Sequence, residues 1–202
     1  MPKIQEVAAL VAETLRIDPM KVDSHVRGLR AAGRLEGNRA GPYECADIIA
    51  CCLSSDLTDA TGPYHLPNVG SYSAQTSKVI ESDHPQYQLA ACEFGEALAT
   101  IIGSDASSAF AIPDRICVLG RGLTLRAIIW VNDQRVPDGN VTHVFGYRPV
   151  NDLFSIGPIY AHLESSNSAG GLIIEMLRQG FCSDQVAIPK SINVPLSHGR
   201  LN

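Results

Sequence analysis

Residues 4–35 read IQEVAALVAETLRIDPMKVDSHVRGLRAAGRL, and the reading of this stretch decides the fold of the N-terminal end. Over residues 4–16, Ile4, Val7, Ala8, Val11 and Leu15 recur at helical spacing, with Glu6, Glu13 and Thr14 off that face. Ile17-Asp18-Pro19 then interrupts. Asp18 has the side chain of an N-cap, and Pro19 suits the first helical position, where an amide would have no partner. Met20–Ala32 predicts a second helix with Val22, Val26 and Leu29 on one side and Gly33 placed to end it. Val11, Leu15, Ile17, Val22 and Val26 supply a small core between the two helices, and Ala12 lets them cross closely. That pattern predicts a helix-turn-helix, although Arg16 stands where glycine is frequent and His25 fills a slot that is often apolar.

The second helix has a polar outer side. With Val22 at zero and about 100° per residue, Val26 and Leu29 fall within about 40° of it. Ser24, Arg27, Ala31 and Arg34 fall at about 120° to 200°, and Lys21 and Arg30 flank them. Arginine reads guanine bidentately, while lysine and serine more often anchor phosphate. The expected DNA-binding residues are therefore Lys21, Ser24, Arg27, Arg30 and Arg34, together with Arg39. Arg39 belongs to the loop RLEGNRAG over 34–41, which follows the second helix in the position of a wing. A basic face of this kind is also what a solvated surface or a protein-binding head presents.

Further along, Pro42 opens a third helix through about Leu53, with Cys45, Ile48, Ile49 and Cys52 on its apolar side. Ser54–Gln86 is rich in Ser, Asp, Thr, Gly, Pro and Tyr and reads as a linker. Residues 87–102 resume a helix. The period then changes: Arg115–Leu119, Leu123–Val131 and Val141–Tyr147 are strand-like, separated by Gly120-Arg121-Gly122 and by Pro137-Asp138-Gly139-Asn140. In the middle run Leu123, Leu125, Ala127, Ile129 and Val131 share one face, while Thr124, Arg126, Ile128 and Trp130 share the other. This half-polar second face predicts an antiparallel sheet covered on one side. Trp130, Phe145 and Tyr147 are candidates for an aromatic pocket or a dimer surface. Ile156–Leu163 is expected to add a strand and Ser168–Gln179 a final helix with Ser168 near its N-cap, and an extended tail is expected from Ser183.

Composition narrows the class. The 202 residues are 45% apolar and 18% charged, against roughly 25% charged in an average domain, which excludes a generally disordered chain. No window has the roughly 18 unbroken apolar residues of a membrane span, and residues 1–18 lack the pattern of a signal peptide, so the expected location is cytoplasmic. The net charge of −5 divides unevenly. Residues 1–40 hold seven Lys/Arg against five Asp/Glu, a net of +2, which leaves −7 for the remainder. A small anion-binding head on an acidic body fits that asymmetry.

The six cysteines form no C-x-x-C pair, and Cys51 and Cys52 are adjacent, so free thiols packed as small hydrophobes are expected. With six scattered histidines, no metal site is expected. There is no G-x-S-x-G, no G-x-x-x-x-G-K-[ST] and no H-E-x-x-H, so neither a catalytic residue nor a cofactor is assigned and the chain is not read as an enzyme.

The run VDSHVRGLRAAGRL over 22–35, followed by GNRAGPYECADIIA over 37–50, resembles the N-terminal module of small alphaproteobacterial phage, prophage and gene-transfer-agent-associated proteins. In those a helix-turn-helix ending in L-R-x-A-G-x-L precedes a Gly/Arg-rich loop and another helix. CEFGEALATII over 92–102 is similar to their downstream F-G-E-A-L segment. Here Asn38-Arg39-Ala40 replaces a more basic loop. The resemblance, over about 4–53 and 92–102, implies a DNA-binding regulator of mobile-element origin.

The expected architecture is α+β. A three-helix helix-turn-helix head over 1–54 and a linker over 55–86 precede a domain over 87–202, with an antiparallel sheet and flanking helices, that dimerises or binds a partner. The expected function is sequence-specific transcription regulation by a dimer on double-stranded DNA, through the helix at 20–32. RNA polymerase or another regulator is a further partner, and no membrane is involved. The alternatives are a DNA-packaging component, such as a small terminase-like oligomer, and a protein-only adaptor.

Overall fold

The computed structural model describes residues 1–54, 62–73, 76, 78–84, 86–104, 113–120, 125–132, 140–147, 168–170 and 173–177. The chain is mixed α+β. Three N-terminal helices, α1 (Ile4–Leu15), α2 (Pro19–Ala31) and α3 (Pro42–Leu53), precede strand β1 (Asn68–Ser73). Helices α4 (Tyr87–Ala90) and α5 (Phe94–Gly103) follow, then β2 (Pro113–Leu119), β3 (Arg126–Asn132), β4 (Asn140–Gly146) and β5 (Ser168–Gly170). The strands form one antiparallel sheet in the order β1-β4-β3-β2-β5.

Local chemistry sets the helix starts. Glu6, Glu44 and Glu96 each reach back three residues to accept the N–H of Lys3, Gly41 and Glu93, at 2.8, 2.9 and 3.2 Å, closing off α1, α3 and α5. In α2 the Asp18 carboxylate accepts from the Met20 amide at 2.9 Å behind Pro19. Each arrangement satisfies an amide that the first helical turn leaves without an intrahelical acceptor.

Packing begins with α3. Every residue from Cys45 to Leu53 is buried, so this helix is enclosed on all sides beyond its first turn, where Tyr43 is exposed. It packs against α1 and α2 and, most extensively, against α5. A single apolar core runs from Ile4, Val7 and Val11 through Ile48, Ile49, Leu98 and Ile101 to Ile129 and Phe145. Burial pushes the Cys45 and Cys52 thiols up to about 12, so both pack as unreactive small hydrophobes.

Enclosing α3 also buries Asp47. Arg34 answers it with a forked contact: Nε donates to both carboxylate oxygens at 3.2 and 3.3 Å, and Nη2 donates to Oδ1 at 3.0 Å. Its guanidinium carbon lies 4.3 Å from the centroid of the Tyr64 ring. Burial still pushes the Asp47 carboxyl above its ordinary range, against the pull of Arg34. His25 is buried as well, with Nδ1 2.9 Å from Cys51 Sγ; burial, with a smaller push from Lys21, lowers its pKa.

Five sequence expectations are corrected. The stretch 55–86 is not a bare linker, because it contributes β1, which pairs with β4 along the sheet edge. Its polar composition concealed this: Ser71 and Ser73 are buried hydroxyls in a strand, not solvated ones. The helix expected over 87–102 divides at Ala91–Glu93. There Leu66 and Tyr64 carbonyls accept the Phe94 and Gly95 amides at 2.9 Å each, so α5 starts afresh against the 64–67 segment. Ser168 lies in β5 and pairs with Cys117 of β2, and of the expected helix over 168–179 residues 173–177 are described as helical.

The sheet, finally, is not open on one side. Ala127, Ile129, Val131 and Phe145 join the main core, while Cys117 and Ile128 on the opposite face are also fully buried. That alternation separates the expected aromatic cluster. Phe145 packs on Phe94 with ring centroids 5.5 Å apart, and Trp130 lies on the other face. Gly120, just after β2, adopts φ 80°, a left-handed conformation open to glycine without steric cost. The strand expected at 156–163, the turn at 137–139 and the extended tail lie outside the described residues.

A polar cluster sits within the main core face. Ser71 Oγ is hydrogen-bonded to His143 Nδ1 at 2.8 Å and accepts from Asn68 Nδ2 at 3.1 Å. Burial, with His84 adding a smaller push, lowers the His143 pKa from 6.5 to about 3.

Two predictions follow from these buried groups. Removing one member of the Arg34–Asp47 pair strands the other: Arg34→Met alone should cost about 2–3 kcal/mol in denaturant unfolding, and Arg34→Met with Asp47→Leu should recover most of that loss. For His143 the folded pKa lies below the unfolded one, so the unfolded chain takes up the proton first as pH falls. Stability should fall by about 2 kcal/mol between pH 6.5 and pH 5, and a His143→Leu, Ser71→Ala variant should show a correspondingly shallower slope.

Candidate nucleic-acid interface

The connection between α1 and α2 is three residues long. Arg16 takes the left-handed conformation (φ 53°, ψ 40°), and its amide and that of Ile17 bond back to Glu13 and Ala12 carbonyls at 3.3 and 3.0 Å. The position where glycine is frequent is thus a left-handed one, occupied here by arginine at some steric cost. Ile17 turns into the core, Asp18 caps α2, and Val22, Val26 and Leu29 pin α2 against its neighbours.

This anchoring leaves the opposite side of α2 in solvent. Ser24, Arg27, Arg30 and Ala31 are exposed, Lys21 is half-buried, and Met20 is 77% exposed at the head of the helix. Arg27 Nη2 lies 3.2 Å from Asp23 Oδ2, one turn earlier. Gly33 ends α2 with φ 71°; its amide bonds to the Arg30 carbonyl at 3.0 Å and that of Arg34 to the Leu29 carbonyl at 2.9 Å.

The loop that follows does two separate things. Arg34 turns inward to Asp47, so the structure does not bring it into the exposed row where the helical wheel placed it; its guanidinium is committed to the interior. Arg39 turns outward on a short antiparallel ribbon with the N-terminus. Ile4 N–H donates to the Asn38 carbonyl and Ala40 N–H to the Pro2 carbonyl, both at 2.9 Å, which pairs Lys3 with Arg39. Both are exposed, so Lys3 joins the basic surface. Sequence reading missed Lys3 because its pairing with residue 39 is long-range. Met20 and Asp23, by contrast, fall on the outer side of the same helical wheel and were legible there.

Elsewhere, a shallow cleft of about 200 Å³ lies at one end of β3 and β4 between Asp114, Trp130, Asn132, Asn140 and Thr142. Among the described residues of its lining, Asp114 is the one carboxylate and no imidazole stands beside it. Among the described residues no three His, Cys, Asp or Glu side chains are grouped to hold a metal ion, and no helix is long and apolar enough to cross a membrane.

With this geometry in hand, comparison with known proteins returns no match: no family model, no curated protein and no solved structure aligns significantly with the chain.

Proposed function

We propose that α1 and α2 act as a helix-turn-helix and that the chain is a DNA-binding regulator of mobile-element origin, reading double-stranded DNA as a dimer through α2. The observation that carries this reading is the pairing of a rigid three-residue turn with a helix whose solvent side bears Ser24, Arg27 and Arg30 among small residues. A helix held from behind by Val22, Val26 and Leu29 keeps its outer face free to enter a major groove. Lys21 and Arg30 then reach phosphates at the groove edges, and Arg27 reaches base edges. The Lys3–Arg39 ribbon has the place of a wing and adds phosphate contacts.

Arg34 supports this reading differently from the way the sequence suggested. It holds the end of α2 to α3 through Asp47 and so positions the reading helix without touching DNA. Short reading helices gain affinity when two heads engage half-sites one helical turn apart, and the acidic remainder of the chain supplies the dimer contact in this scheme.

Selection of bound sequences from random duplex DNA with the full chain, followed by gel shift, tests the proposal. Arg27→Ala with Arg30→Ala should weaken binding at least about tenfold and flatten its salt dependence, with an unchanged melting temperature because both side chains lie outside the core. The Arg34→Met, Asp47→Leu pair should retain binding. Unaltered affinity in the Arg27/Arg30 variant, or absence of any duplex binding by the intact chain, would overturn the reading. A large ring by light scattering without site preference would point to DNA packaging instead.

A further inference from the structure

The N-terminal helices have little electrostatic attraction for a polyanion. Residues 1–54 contain seven Lys/Arg and seven Asp/Glu, a formal net charge of zero, and Arg34 is already paired with Asp47. Phosphate contacts alone give such a surface weak, salt-sensitive affinity. Asp23 sharpens the problem, since it places a carboxylate, 65% exposed, within the exposed row of α2. Its partner is Arg27, 69% exposed, with Nη2 at 3.2 Å. An exposed pair of this kind contributes little to helix stability. Its effect is to restrict where the guanidinium points.

We infer, on the DNA-binding reading above, that Asp23 is a specificity-determining residue: it holds Arg27 toward base edges, and together with Met20 it directs α2 to a G·C pair next to a thymine. The chemistry of the row is complementary to that target. With one N–H of Arg27 on Asp23, the remaining donors match guanine O6 and N7. The second oxygen of Asp23 is an acceptor, which suits the N4 amino group of the paired cytosine and repels the O4 of a thymine. Met20 is large, apolar and exposed at the N-terminal end of α2, the end that approaches base edges, and meets a thymine methyl there. Ser24 and Ala31 are small enough to let the helix backbone come close. The acidic residue thus reduces affinity for arbitrary DNA and raises discrimination among sequences.

The experiment is sequence selection from a random duplex library with wild-type full chain, Asp23→Ala and Met20→Ala, with melting temperatures as a folding control. The wild type should yield a motif with a G·C pair preferred about tenfold over other pairs at one position. Asp23→Ala should bind random duplex at least as tightly as wild type while that preference falls to about twofold. Met20→Ala should keep the G·C preference and lose the adjacent thymine. An Asp23→Ala motif identical to the wild-type motif overturns the inference and leaves DNA binding standing, as does wild-type binding without any motif. Wild-type protein that retains no duplex DNA overturns the DNA-binding reading and this inference with it.

Discussion

The rest of the structure depends on the enclosure of α3 from Cys45 to Leu53. A helix buried on every side must be apolar on every side or have its polar groups answered within the protein. Residues 45–53 meet the first condition everywhere except at Asp47, which meets the second through the Arg34 fork. This one ion pair ties the loop after α2 to the middle of α3. It fixes the end of the proposed reading helix against the buried length of α3.

From that node the constraint passes to the sheet. Arg34 lies over the Tyr64 ring, and Tyr64 in turn covers Gly95, where a side chain would collide with the ring. The same segment accepts the first amides of α5, and α5 is the principal neighbour of α3. The N-terminal helices and the sheet are therefore joined through one apolar core and one short polar relay. A change at α2 that displaced Arg34 would be felt at the start of α5, because the guanidinium touches both the buried carboxylate and the ring that closes over Gly95.

The sheet shows a related economy. Its main core face is apolar at Ala127, Ile129 and Phe145 but polar at Ser71 and His143, where β1 and β4 meet. Neutral imidazole satisfies the hydroxyl at neutral pH, and burial keeps it neutral. Ser71, Ser73 and His143 are interior groups, with Ser71 and His143 bonded to each other, which is why polarity was a poor guide to exposure here.

Periodicity and capping chemistry by themselves determined α1, α2 and α3, the turn at 16–18, the outward placement of Ser24, Arg27 and Arg30, and the cores of β2, β3 and β4. These are local properties: 3.6- and 2-residue repeats, an N-cap carboxylate, a proline at N1 and a glycine at the stop. Only the tertiary structure decided the fate of Arg34, since a helical wheel cannot see Asp47 thirteen residues away. Long-range contact likewise decided that β1 exists, that the helix over 87–102 breaks at Glu93, that Lys3 stands beside Arg39, and that Cys117 and Ile128 are buried on the sheet's second face. In each case a group's partner lies far along the chain, and hydrogen bonding, charge pairing and burial are settled by that partner and not by the residue's own neighbours.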